Sequence, residues 1–422
     1  MSTALRTVPA PRAYGLGLIA ERLVSRILAG ITVGELELRL PSGERRSFGV
    51  PGSNPSAAVT VTSSDLFRRL ARRPRLGLGE GYVAGDWHAD DLVAFFELLI
   101  RNVEAARRRP SLARLAAIER HRPHLPPHQG FRRAQRNSHY HYDIGNDLYR
   151  LFLDESLTYS CAYFERPEET LEQAQQNKYR RICDKLELEP DDHVLEIGCG
   201  WGGFALHAAR ERGARVTGLT ISKGQHDLAR ERVAAAGLES LVEIRLADYR
   251  AVQSRFTKIA SIEMLEAIGH AEYPTFFAVC DRLLAPGGIA CIQTISIPDQ
   301  RYERYRRHTD WMREYVFPGS LLPSLTALSN AMTRSSELVV HGLEDIGIHY
   351  ARTLRTWRER FCENAEAVRE LGYDSRFERS WELYLAYCEA AFATRSLRNL
   401  QLVLTRPFND RLNRHPSPRV TF

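Results

Sequence analysis

Lysine is almost missing from this 422-residue chain. Only Lys178, Lys185, Lys223 and Lys258 occur, so the net charge of +6 is carried by arginine. That bias reads as source-genome composition; the charge suits an anionic surface such as phospholipid headgroups without requiring one. No run comes near the roughly 18 consecutive apolar residues of a membrane-spanning helix. The stretch Met1 to Arg12 lacks the apolar core of a secretory signal. CxxC pairs are absent as well: Cys161, Cys183, Cys199, Cys280, Cys291, Cys362 and Cys388 stand singly. An odd, scattered set argues against a disulfide framework and for reduced thiols in a cytoplasm. His139, His141 and Asp143 have H-x-H-x-D spacing, but no second ligand cluster completes it, so no metal is expected. A hydrogen-bonded lead into a helix at Leu148–Leu153 is the better reading of that stretch.

What is present is enough apolar content, 44%, for two or three cores. Leu16, Ile19, Ala20, Leu23, Val24, Ile27 and Leu28 recur at helical spacing, with Glu21, Arg22 and Arg26 opposite. This predicts a surface helix packed on its own domain, with an interfacial membrane helix as the alternative. Alternation predicts strands at Gly34–Leu40 and Ala57–Thr62. Ser64-Asp65 is read as capping a helix through Leu70, and Leu92–Val103 as another helix. Residues 1–120 thus form a small α+β domain without a catalytic constellation. Residues 121–137 are read as a linker and 138–422 as the main domain.

In that main domain the strand Val194–Ile197 runs into Glu196-Ile197-Gly198-Cys199-Gly200-Trp201-Gly202-Gly203, and a helix starts near Phe204. Glycines at Gly198, Gly200 and Gly202 let backbone turn sharply and approach a nucleotide-like ligand. Strands follow at Arg215–Thr220, Leu241–Leu246, Ile259–Met264 and Ile289–Ile295, separated by helices. The alternation predicts a parallel, doubly wound sheet with ligands at the strands' carboxyl ends. Thr220, Ser222 and Gln225 end the second strand where an NAD enzyme would place an acid, and Asp248-Tyr249 end the third. The set fits S-adenosylmethionine better than NAD.

Several stretches together resemble the cyclopropane-fatty-acyl-phospholipid synthases and their mycolic acid relatives. They are His141 to Asp147, Tyr159-Ser160-Cys161-Ala162-Tyr163, Glu196 to Gly203, Thr220-Ile221-Ser222 with Gln225, Tyr315 to Gly319, and Gly77 to Tyr82 with Gly85-Asp86-Trp87. The resemblance implies a Rossmann-like class I S-adenosylmethionine methyltransferase with a helical cap over about 298–349. It implies transfer of the sulfonium methyl to a cis double bond of a phospholipid acyl chain, at the inner face of a membrane, by a peripheral cytoplasmic enzyme. Tyr159, Ser160, Glu196, Gly198, Gly200, Thr220, Gln225 and Asp248 would hold the cofactor. A bound bicarbonate would take the proton whose loss closes the ring, cradled at the positions of Cys161, Glu266, Gln293, Ile295 and Tyr350. There Glu266 would accept the bicarbonate hydroxyl, and Cys161 and Ile295 would offer backbone groups. Cys388 matches another cysteine singled out in the family and reads as a core thiol on a helix.

Two residues depart from the family pattern: Gln293 and Ala267 stand where it carries histidines. Glutamine can donate an N–H but cannot titrate. Methyl transfer survives both changes, while the fate of the cation is open. A ring is one outcome and a methylene- or methyl-branched chain the alternative. Among Pro298 to His349, Tyr302, Tyr305, Trp311, Tyr315 and Phe317 are expected to line an acyl tunnel. Arg301, Arg304, Arg306, Arg307 and Arg313 are expected to meet phosphate, with Arg352, Arg355, Arg358 and Arg360 continuing the basic face. A nucleic-acid methyltransferase is disfavoured, because no Asn-Pro-Pro-Tyr-like motif or compact basic run occurs. A non-catalytic lipid-binding relative is the remaining alternative, and a homodimer is compatible with the sequence.

Overall fold

The computed structural model describes residues 15–107, 145–409 and 412. The expected linker and the His139–Asp143 motif lie outside them. The chain forms two compact units. One draws on residues 1–125, 304–318 and 350–397, the other on 126–303, 319–349 and 398–422. The block expected from 138 onward is thus divided. Its long helices Gly347–Glu363 (from Tyr350 on) and Ser375–Ala393 belong with the N-terminal segment.

In the first unit, strands β1 (Glu35–Arg39), β2 (Arg45–Gly49), β3 (Ser56–Val61) and β4 (Trp87–Ala89) form one sheet in the order β2-β1-β3-β4. The Glu-Leu alternation of β1 buries Leu36 and Leu38 and turns its glutamates outward. The expected Ser64 cap is not formed: its side chain makes no capping bond to the helix Asp65–Arg72. The glycines of Gly77–Ala84 have a packing cause. A Cβ at Gly79 would lie 2.4 Å from the Trp311 ring. Buried Glu80 on the same helix accepts from Arg73 at 2.5 Å and from the Tyr315 hydroxyl at 2.6 Å.

The helix Gly15–Leu28 packs on its own domain through buried Ala20 and half-buried Val24 and Leu28, beside Ser25, which accepts from Arg46 at 2.7 Å, and Glu21, which pairs with Arg46 at 3.0 Å. Ile19, Leu23 and Ile27 face solvent, at 69%, 48% and 57% exposure.

The second unit is built on β5 (His193–Ile197), β6 (Arg215–Thr220), β7 (Val242–Leu246), β8 (Phe256–Ile262), β9 (Leu284–Ser296), β10 (Val339–Asp345) and β11 (Arg398–Thr405). Their order is β10-β11-β9-β8-β5-β6-β7. The five strands β5 to β9 pair in parallel, as expected, and β11 and β10 continue the sheet antiparallel beyond β9. Strand order reverses between β5 and β8, which is where open α/β sheets bind ligands. The segment expected as a helical cap therefore contributes an edge strand, β10. It also holds a helix at Leu325–Ser335 and a single π turn at Met312–Val316. Strand β11 escaped the sequence pattern because Asn399 and Gln401, both fully buried, interrupt its apolar run.

Candidate active site

A cleft of about 1230 Å³, its mouth included, opens at the switch point. The loop after β5 forms its floor. Gly198 has φ +85°, and a Cβ there would stand 3.0 Å from Met264 Cγ. Gly200 has φ +51° with open space beside it, so backbone lies bare to a ligand. Gly202, also at positive φ, is not in the lining; it begins the helix Gly203–Arg212 and turns towards Ala229.

Glu196, next to last on β5, is 2% exposed, and its Oε2 makes no hydrogen bond among the described residues. Burial pushes its carboxyl up to about 8, moderated by the Lys178 charge and the Ala205 N–H. Lys178 arrives on the helix Leu171–Lys185, which starts at a capping box formed by Thr170 and Gln173. Its ammonium donates to Ser160 Oγ at 2.9 Å, and Gln175 donates to the Ser160 carbonyl at 3.0 Å. Burial lowers Lys178 to about 8 against the pull of Glu263 and Asp154. The Tyr159 ring packs edge-on against Tyr149 and Phe152 beside this strip.

At the end of β6 the hydroxyl and amide groups are tied to one another. Thr220 Oγ1 donates to Gln225 Oε1 at 2.9 Å, and Ser222 Oγ caps the helix Lys223–Ala235 through Gln225 N. These side chains line the cleft as a fixed wall. Asp248 lines the cleft, and Arg250 orients its carboxylate by donating to both oxygens, through Nε at 2.9 Å and an Nη at 2.6 Å. Beside it the buried Tyr249 hydroxyl makes no hydrogen bond among the described residues.

A carboxylate that the sequence reading passed over dominates the other wall. Glu263 follows β8 at φ +52°, a left-handed conformation rare outside glycine. Its Oε1 accepts from Cys161 N at 2.9 Å, Gln293 Nε2 at 2.9 Å and Asn399 Nδ2 at 2.6 Å. Gln293 Oε1 in turn accepts from Gln401 Nε2 at 2.9 Å, and Gln401 from Lys185. The Gln293 amide is therefore fixed by a partner at each end, its N–H₂ aimed at Glu263. Glu266, one turn further, accepts from Thr294 Oγ1 at 3.0 Å and from Ile295 N. Burial, with the neighbouring Glu263 charge second, raises it to about 8. Glu263 lines the cleft and Glu266 does not. The Cys161 thiol, buried and beside Glu263, is pushed well above its usual range and donates to the Ala162 carbonyl at 3.2 Å. It is a neutral thiol that offers the site its backbone N–H.

Cys161, Gln293 and Ile295 are thus gathered around two carboxylates of the chain itself, Glu263 and Glu266. Tyr350 and Cys388 belong to the first unit. There Tyr350 packs on Phe392, with ring centroids 4.5 Å apart, and Cys388 sits on the helix Ser375–Ala393. Three arginines expected to meet phosphate are engaged within the protein. Arg313 is buried and donates to the Tyr305 carbonyl at 3.1 Å, while Arg355 and Arg358 both hold buried Glu389.

Residues 129–402 match the family model described as mycolic acid cyclopropane synthetase. The chain belongs to this family. Across 96% of its length it is 39% identical to the tuberculostearic acid methyltransferase UfaA1 of Mycobacterium tuberculosis, covering 95% of that protein. It is 36% identical to the cyclopropane-fatty-acyl-phospholipid synthase of Escherichia coli, over 86% of this chain and 91% of that one. Among solved structures it is similar to the mycolic acid cyclopropane synthase CmaA1 complexed with SAH and CTAB. That likeness has a TM-score of 0.60 at 30% identity, covering 68% of this chain and 99% of the other.

Like other cyclopropane-synthetase family members, the chain is an S-adenosylmethionine-dependent methyltransferase of Rossmann-like fold. The cleft fits that cofactor on its own terms. It offers two buried polar atoms without a hydrogen bond among the described residues, Glu196 Oε2 and the Tyr249 hydroxyl, beside a bare glycine turn. Glu196 would face the cofactor's positive charge, and the Gly198–Gly200 backbone and the Thr220–Gln225 wall would seat the rest. When bound, S-adenosylmethionine supplies an electrophilic methyl. Bicarbonate fits poorly: the backbone N–H groups of Cys161 and Ile295 and one N–H of the Gln293 amide are already given to Glu263 and Glu266. A further anion would also meet the Glu263 charge at short range.

Proposed function

We propose that this enzyme methylates a cis double bond of phospholipid acyl chains at a membrane surface and releases a methylene-branched or methylated unsaturated chain instead of a ring. Methylation of lipid acyl chains is the family's chemistry. The observation that carries the product is the commitment of Gln293 to Glu263. Where the ring-forming pattern has a titratable histidine and room for a bicarbonate, this chain has an amide locked between Glu263 and Gln401. The similarity to a relative named as a methyltransferase supports the same reading.

An alkene is a weak nucleophile, so the protein's task is to hold it in line with the methyl in a dry site. The π electrons form the new C–C bond as the sulfonium C–S bond breaks, and a cation remains on the chain. Prompt loss of a proton from the new methyl closes a ring. If a hydride shifts first from the methylated carbon, loss of a methyl proton leaves a methylene branch.

Membrane contact is supported by the stripe Ile19, Leu23 and Ile27, exposed between Arg22 and Arg26 on one helix. Apolar residues flanked by arginines suit the interface of an anionic bilayer. Among the described residues no helix is long and apolar enough to cross a membrane. The test is S-adenosylhomocysteine release with vesicles of cis-unsaturated phospholipid, compared with saturated phospholipid and with the free unsaturated acid. Release confined to the unsaturated vesicles is expected. Equal release on the free acid would contradict the phospholipid assignment.

A further inference from the structure

We propose that Glu263 is the proton acceptor of the reaction, a carboxylate of the chain occupying the cradle in which the family's bicarbonate would lie. The inference rests on the proposed substrate and deepens the reading of the same site. Three observations converge. Cys161 N and Gln293 Nε2, two groups of the implied bicarbonate cradle, donate to the single atom Glu263 Oε1, and Asn399 adds a third donor. An oxygen that accepts three N–H bonds is placed as a bound carboxylate anion would be. Next, Glu263 lines the cofactor cleft, whereas Glu266 lies behind it and bonds to Thr294 and Ile295. Finally, the Glu263 backbone is held at φ +52°, an unfavourable conformation for a glutamate that persists when surrounding structure fixes it. Asn399 and Gln401, polar residues buried in the middle of β11, supply that fixation; an apolar strand would pack as well without them.

The step balances within the enzyme, the lipid and the methyl donor. After a hydride has moved from the methylated carbon to the neighbouring cationic carbon, the C–H bond of the transferred methyl breaks and its electron pair neutralises the cation now on the methylated carbon as the new C=C bond. The proton passes to Glu263, whose neutral acid returns it to solvent after the product leaves. Glu266, whose carboxyl desolvation raises, is the partner held neutral.

The experiment measures turnover of the full-length enzyme on unsaturated phospholipid vesicles in CO₂-depleted buffer, with and without added bicarbonate. The parent should turn over equally in both. Glu263→Gly should lose turnover by about 10²- to 10⁴-fold, the scale of general-base catalysis, with S-adenosylmethionine affinity kept. Bicarbonate or formate should restore it, because the glycine relieves the backbone and leaves the cradle open for a small carboxylate. Glu263→Gln, of the same size, should lose turnover without rescue. A parent that needs bicarbonate, a glycine variant with parental turnover, or one that no small carboxylate rescues would each overturn the assignment. The parent comparison needs no variant and stands if the variants fold poorly. Absence of turnover on every lipid would instead defeat the proposed substrate.

Discussion

Replacing Glu196 by glutamine should weaken S-adenosylmethionine binding by about tenfold to a hundredfold, the worth of one charge-assisted hydrogen bond. The same change should make the cofactor-free protein more stable at alkaline pH. Both effects come from one buried carboxylate in the cleft, whose Oε2 makes no hydrogen bond among the described residues. Folding raises its pKa from an ordinary 4.5 to about 8. A raised carboxyl binds more protons folded than unfolded, so its effect on stability turns unfavourable as pH rises through that window. In the parent, the cofactor-free melting temperature should therefore fall between pH 4.5 and about 8. Glu196→Gln removes this residue's share of the loss, offset in part because Lys178 also loses an opposing charge, while Glu266, likewise raised to about 8, keeps its own share. Calorimetry gives the affinity and thermal melts at stepped pH give the stability. Unchanged affinity in the glutamine variant would remove Glu196 from the cofactor site.

Glu266 should answer differently to two substitutions. Truncation to alanine strips a partner from Ile295 N and Thr294 Oγ1 and opens space behind Glu263. Displacing a reacting group by about an ångström costs on the order of a hundredfold in rate, and that is the loss expected for Glu266→Ala. Glu266→Gln should keep most of the parental rate, because glutamine copies the neutral acid that burial imposes up to about pH 8. The parent should lose rate as Glu266 ionises beside Glu263 above that pH, and the glutamine variant should not. A glutamine variant as slow as the alanine one would mean that Glu266 works ionised.

Why Glu263 stayed hidden in the sequence while Glu266 did not is a matter of backbone. Alternation through Ile259–Met264 reads as one strand, which makes Glu263 an ordinary strand residue. The strand ends at Ile262, and the left-handed turn that follows sends the glutamate into the site. Periodicity carries no sign of such a turn outside glycine or asparagine. The five parallel strands were legible because each is an apolar run between turn residues, and Glu196 because a glycine turn follows it. Strand β11 was not, since Asn399 and Gln401 look wrong for a core until their partners Glu263 and Gln293 are known. The unexpected solvent exposure of Ile19, Leu23 and Ile27 has a similar origin. Spacing establishes that a helix has an apolar face, while the burial of Ala20 and the Arg46 bonds to Ser25 and Glu21 decide which part of that face is covered.

The claim that this family member branches acyl chains rests on Gln293 being locked to Glu263. Product structure tests that claim most directly. Lipids from a host expressing the chain should be analysed by acyl-chain fragmentation before and after mild hydrogenation. A ring and a methylene branch add the same mass, but the methylene takes up hydrogen and the ring resists it. The expected product is a branched chain that fragments at the methylated carbon. A hydrogenation-resistant cyclopropane ring as the main product would contradict the account.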